Sequence, residues 1–215
     1  MSAAETADTA DTLPRPFVPG TPGWAASDLD DPEVERLWFE GSYEIVNGVL
    51  TTMAPAFYVG GKATSILLRI GIGYLEDRGM GGSFGTEVDI IIDESRVVKA
   101  DAIHMSADDE KRQAEAVAVA GRIDAERTRI LVPPTIIIEA ISPGHERHDR
   151  ITKMRWYAEF KVPNYWILDP FAKTLDCHVL DGNAYRLDLS GKGSDEISTR
   201  VFPGLVISLK RLWGQ

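Results

Sequence analysis

Ile136-Ile137-Ile138-Glu139-Ala140-Ile141 follows Pro133-Pro134 and stops at Ser142-Pro143-Gly144. A continuous β-branched run of this kind is a central strand covered on both faces. Glu139 is the discordant residue within it. An isolated carboxylate there is costly to keep ionised or is forced neutral. The position therefore calls for a cation, a Lys or Arg partner, or a proton. A strand-end glutamate facing water, or paired with an arginine, is the plainer alternative.

One element earlier, Val97-Val98-Lys99-Ala100-Asp101-Ala102-Ile103 repeats the pattern, with Asp101 inside a β-prone run. If the two strands are neighbours, the carboxylates meet on one face and form a hard, oxygen-rich site suited to Mg²⁺ or Mn²⁺. Taken alone, Asp101 reads equally as a solvated edge-strand residue. Downstream, Asp149 to Phe160 predicts a helix ending before Pro163. At 100° per residue Asp149, Lys153, Trp156 and Phe160 form one stripe. The aromatic pair would anchor that stripe on the sheet and lay the Lys153 amine along its surface. The competing reading is a surface lysine paired with Asp149 at i, i+4, worth little. The opposite side carries Ile151, Met154 and Ala158, so the helix is deeply buried or shared in a homodimer.

The remaining elements follow from turns and periodicity. Residues 1 to about 30, rich in Ala, Thr, Asp and Pro, read as a flexible N-terminal arm, with the domain spanning 31–215. Asp31-Pro32 opens a short helix through Leu37. Asn47-Gly48 marks a hairpin between Tyr43 and Leu50. Val59 to Leu75 has helical spacing, weakened by Gly71 and Gly73. Thr86–Ile92 and Val97–Met105 are strands joined at Asp93-Glu94-Ser95, and 106–130 reads as a variable, partly helical insertion. Asn164–Leu168 is a strand stopped by Asp169-Pro170. Leu175–Leu180 and Ala184–Leu189 flank the turn Asp181-Gly182-Asn183, and a final apolar piece covers Leu205 to Leu209. The sum is a mixed α/β fold: a central mixed sheet flanked by helices.

At 215 residues, 44% hydrophobic and 26% charged, the chain has the composition of a soluble globular protein. No apolar run approaches a membrane span, and no basic segment leads into an apolar stretch near the start. The one cysteine, Cys177, cannot form an internal disulfide, which fits a reducing, cytoplasmic setting. The net charge of −10 argues against broad attraction to nucleic acid. It is compatible with a site that holds a divalent cation beside a local basic rim. No Cys/His cluster has zinc spacing, no glycine loop cradles phosphate, and Ser142 lacks a nucleophile elbow. His145 and His148 flank the loop after Glu139, where they could touch substrate; His104 and His178 look structural or incidental.

Glu139-Ala140-Ile141-Ser142-Pro143, His148-Asp149-Arg150, Lys153, Tyr157 and the block Val162 to Pro170 together resemble the Uma-type restriction-endonuclease family, once a domain of unknown function. Tyr43 to Gly48, Met53-Ala54-Pro55 and Phe202-Pro203-Gly204-Leu205 are similar too, so the resemblance covers roughly 40–213. The family belongs to the PD-(D/E)XK phosphodiesterases. The resemblance implies a restriction-endonuclease-like fold, with Asp101 and Glu139 binding Mg²⁺ beside Lys153. The usual lysine two positions after the glutamate is replaced by Ile141. Glu44 matches a family glutamate that approaches the site. Two departures stand out: the family's Pro-Asp is Ala100-Asp101, and a helix histidine is missing near Val59-Gly60.

The sequence thus points to a metal-dependent endonuclease acting on nucleic acid, DNA above RNA. The alternative is a catalytically silent nuclease-fold module that binds DNA or a protein partner. Two-carboxylate glycoside hydrolysis has little support, because Trp156 and Trp166 sit in core segments instead of lining a sugar cleft.

Overall fold

The computed structural model of the chain describes residues 13–53, 57–121 and 129–214. The helices are α1 (Pro32–Phe39), α2 (Tyr58–Asp77), α3 (Ala107–Val119), α4 (Met154–Glu159) and α5 (Leu209–Leu212). The strands are β1 (Tyr43–Val46), β2 (Val49–Thr52), β3 (Gly82–Asp93), β4 (Arg96–Ser106), β5 (Ile136–Ala140), β6 (Asn164–Asp169), β7 (Thr174–Asp181), β8 (Ala184–Lys192), β9 (Glu196–Ser198) and β10 (Val206–Ser208). The described residues fall into two compact units, one of residues 13–53 with 91–99, the other of 57–90 with 100–121 and 129–214.

In the first unit the Asn47-Gly48 turn closes β1 on β2, with φ of 51° and 77° as a type I′ turn demands. β1 also pairs with the start of β4 through Ile45 and Val97. Asp31 caps α1: its Oδ1 accepts the Glu33 and Val34 N–H groups at 2.8 and 3.3 Å, and Pro32 takes the first helical position.

The expected arm differs from what forms. Residues 1–12 lie outside the described residues, but from Leu13 onward the segment is packed. Trp24, Ala26 and Leu29 are buried with Val34, Trp38, Ile45 and Leu50, and Phe17 sets its ring edge-on to Trp24. Backbone bonds from Gly20 to Leu50 and from Trp24 to Gly48 tie it down. A few well-spaced large apolar groups suffice to fill a core that distant residues complete, and an averaged composition hides them.

The second unit carries the mixed sheet that the sequence predicts, in the order β4-β5-β6-β7-β8 with β3 on β4. β5 runs antiparallel to β4, in register Ala102↔Ile138, and parallel to β6, in register Glu139↔Ile167. β6, β7 and β8 form antiparallel pairs. A parallel pair needs a crossover connection, which here runs through the segment containing Lys153 and α4. The side chains of β5 are buried through Glu139, as a centrally placed strand requires.

α2 lays Leu67, Leu68, Tyr74 and Leu75 on a core shared with Ala102, Ile138, Trp166 and Leu168. Its glycines do not end it. A Cβ at Gly71 would lie 2.5 Å from Phe84 Cζ, so Gly71 admits that ring against the helix. α3 starts from a Ser106 capping box with Asp109; within the expected insertion, 122–128 lie outside the described residues.

The helix expected from Asp149 begins instead as a π-helical turn, His148–Lys153, that runs on into α4. Its wider turn changes which residues share a face. Ile151 is 60% exposed whereas Ala158 is buried, so these two and Met154 do not form one exposed apolar face. Among the described residues no helix is long and apolar enough to cross a membrane.

Candidate active site

β5 delivers Glu139 into the interior, where it is 3% exposed. Two groups from the crossover converge on one of its oxygens. Lys153 Nζ lies 3.2 Å from Oε1, and the Tyr157 hydroxyl donates to the same oxygen at 2.7 Å. Lys153 closes the π-helical turn and Tyr157 stands four residues later, so they project to one side of the crossover. Asp149, also buried, opens that segment, and its carbonyl accepts the Tyr165 hydroxyl at 3.1 Å.

Asp101 comes from β4, just beyond the Ala102↔Ile138 pair. Its Oδ2 accepts the Ala140 N–H at 2.7 Å, so the carboxylate is held by the peptide next to Glu139. It also lines a cavity of about 190 Å³ with Gly60, Gly61 and Thr64 of α2 and Glu87 of β3. A Cβ at Gly60 would stand 3.3 Å from the Ala140 Cβ, so this glycine lets the start of α2 approach β5 closely.

Burial pushes the Glu139 carboxyl well above the ordinary carboxylate range, and the charges of Asp101 and Asp149 push it further. Lys153 and the Tyr157 hydroxyl pull the other way without winning. Burial likewise raises the Tyr165 hydroxyl, with Glu139 the next cause. The site therefore sets the charges of Lys153, Asp101 and Asp149 around one buried carboxyl, Glu139.

Asp101 and Glu139 offer carboxylate oxygens, the donor type that a hard divalent cation takes. Among the described residues no three His, Cys, Asp or Glu groups are arranged to hold a metal. A pair of carboxylates with the remaining positions taken by water suits Mg²⁺ or Mn²⁺, not a closed zinc centre.

A family model, Uma2, described as "Putative restriction endonuclease", matches residues 33–210. The chain belongs to the Uma2 family. No curated protein matches it. The fold is similar to a crystal structure from Anabaena variabilis, described as "a putative nuclease belonging to DUF820", at TM-score 0.60 and 12% identity, covering 81% of this chain and 90% of that chain. At that identity the likeness concerns the fold alone, a central mixed sheet flanked by helices.

Of the residues that the sequence singles out, Lys153 pairs with Glu139 and Asp101 bonds the Ala140 N–H beside it, all in the second unit. Glu44 is buried in the first unit, where its Oε1 accepts the Lys99 N–H at 3.1 Å. Of the histidines, His145 is exposed and His148 packs edge-on to Trp156. His104 is buried against Phe84, its Nδ1 3.0 Å from the Ser83 carbonyl, a structural setting as expected. Tyr157 carries a role that the sequence reading leaves unassigned, although its i, i+4 spacing from Lys153 signals it. Thr64, whose buried hydroxyl has no hydrogen-bond partner among the described residues, gives no sequence signal.

Proposed function

We propose that this Uma2 protein is a divalent-metal-dependent endonuclease that hydrolyses phosphodiester bonds in nucleic acid, with DNA the first substrate to test. The observation that carries this reading is the buried Glu139 carboxylate, bonded to Lys153 and Tyr157 and one peptide away from the cavity-lining Asp101. Such a group is expensive to keep in a core for packing alone.

Asp101 and Glu139 would hold Mg²⁺ or Mn²⁺. The bound ion supplies Lewis-acid polarisation of a phosphoryl oxygen and a lowered water pKa. Tyr157 fixes the Glu139 side chain through its hydroxyl. Lys153 keeps a positive charge at the carboxylates and offsets negative charge that develops on a phosphoryl group. The cavity beside Asp101 receives the scissile phosphodiester, with the Thr64 hydroxyl available to it. No step is assigned to Glu44.

The test is cleavage of plasmid and oligonucleotide substrates with Mg²⁺ or Mn²⁺ by the wild type, E139A and D101N. Loss of metal-dependent cleavage in both variants is expected, and full activity in folded E139A would end the assignment. A second reading, a silent module on the same scaffold that binds DNA or a protein, is favoured by the closed Lys153–Glu139 pair, which satisfies the carboxylate without metal. Calorimetry separates the two: no heat with Mn²⁺ at millimolar concentration would favour the module.

A further inference from the structure

Resting on the reading of the Asp101 cavity as the place of cleavage, we infer that the groove adjoining it along α2 binds single-stranded nucleic acid. Phosphates would meet Lys62 and Arg69, and unpaired bases would stack on Tyr58 and Phe57. The groove, of about 650 Å³, shares Phe57, Gly61 and Ser65 with the Asp101 cavity, so the two adjoin. Its charged lining consists of Lys62 and Arg69 with no carboxylate, on a chain whose formal net charge is −10. Seven residues apart on α2, the two cations lie on one stripe of the helix. That is the local basic rim an acidic protein needs to hold a polyanion.

The aromatic groups decide which polyanion. Among the described residues four aromatic side chains are exposed: Phe39, Phe57, Tyr58 and Phe171. Three of them gather at this mouth: Tyr58 is 82% exposed, and Phe57 meets Phe171 edge-on with ring centroids 6.0 Å apart. Exposed rings beside lysine and arginine form a stacking platform for a single strand. In a duplex the base faces are already stacked on each other, and such rings would have nothing to bind. A second copy of the chain would also cover the rings, but a two-fold contact would set this basic lining against itself.

The test measures binding without turnover. Fluorescence anisotropy in EDTA would compare a labelled oligothymidylate with a duplex of equal length, for wild type, Y58A, K62A/R69A and D101N. The single strand is expected to bind at least about 10-fold tighter than the duplex, and Y58A to lose about 10-fold for the single strand alone. K62A/R69A should reduce the log–log salt slope by about 1.4, two phosphate contacts' worth on a single strand. D101N should keep its affinity in EDTA and, in a parallel assay with Mg²⁺, lose cleavage. If D101N still cleaves, the catalytic reading fails while the groove stands. Equal or tighter duplex binding, or wild-type affinity in both groove variants, overturns the groove. So does a Y58A that binds normally but sediments as a smaller oligomer.

Discussion

Lys153 Nζ lies 3.2 Å from Glu139 Oε1 in the second unit, each side chain only 4% exposed. Breaking a buried ion pair from one side leaves an uncompensated charge and costs about 3–5 kcal/mol. K153M should therefore lose stability on that scale near neutral pH, and the double variant K153M/E139Q should recover most of it. Urea denaturation of the four proteins in the cycle measures this. Additive losses in the double variant would mean that the two groups do not stabilise each other.

The Tyr157 hydroxyl shares that oxygen, at 2.7 Å. A hydrogen bond to a charged group contributes about 1.5–3 kcal/mol, and this one holds the Glu139 carboxyl down against burial. Y157F should fold normally, with the Glu139 carboxyl raised further. If Glu139 acts ionised, the acid limb of the cleavage profile should move to higher pH while the plateau changes less. An unmoved limb would leave Tyr157 with a packing role only.

The same raised carboxyl sets a pH dependence of stability in the metal-free protein. Its unfolded value is the ordinary 4.5 and its folded value lies well above. Between the two, the folded state binds more protons than the unfolded state, so stability falls as pH rises. The side-chain amide of the E139Q variant mimics the protonated carboxyl and does not titrate. The stability of E139Q relative to wild type should therefore grow as pH rises from about 4.5, by at most about 1.36 kcal/mol per pH unit, and level off above the folded value. Paired thermal melts across that range check it. A pH-independent difference would place the carboxyl at its ordinary value.

How much of this is legible in the sequence depends on where the information sits. β5 is readable because an uninterrupted β-branched run has one good use, and the Asn47-Gly48 hairpin because few residues accept its backbone. Asp101 and Glu139 stand out as polar groups in apolar company, whereas Lys153 joins them only through its helical spacing from Trp156 and Phe160. Their meeting is inferred with the help of the family resemblance, since pairing between β4 and β5 is not written in either strand alone. The π-helical turn at His148–Lys153 leaves no mark, because its hydrogen-bond pattern responds to tertiary packing and not to local propensity. The Asp101 cavity depends on Gly60 approaching Ala140, a distance that no spacing rule supplies.

The segment before α1 offers the sharpest test of that limit. By composition it is an arm, yet Trp24 is 2% exposed, with Phe17 edge-on at 5.2 Å and the Arg15 guanidinium 5.0 Å above its ring. Truncating a buried tryptophan removes its transfer energy and leaves a cavity, together about 3–5 kcal/mol. W24A should therefore lower stability on that scale, and hydrogen exchange should quicken at Ile45 and Leu50, which share its core. The replacement leaves every residue of the Glu139 site in place, so its effect reads packing of the first unit alone. If W24A keeps wild-type stability and exchange, residues 13–30 add nothing to the core and the compositional reading is right.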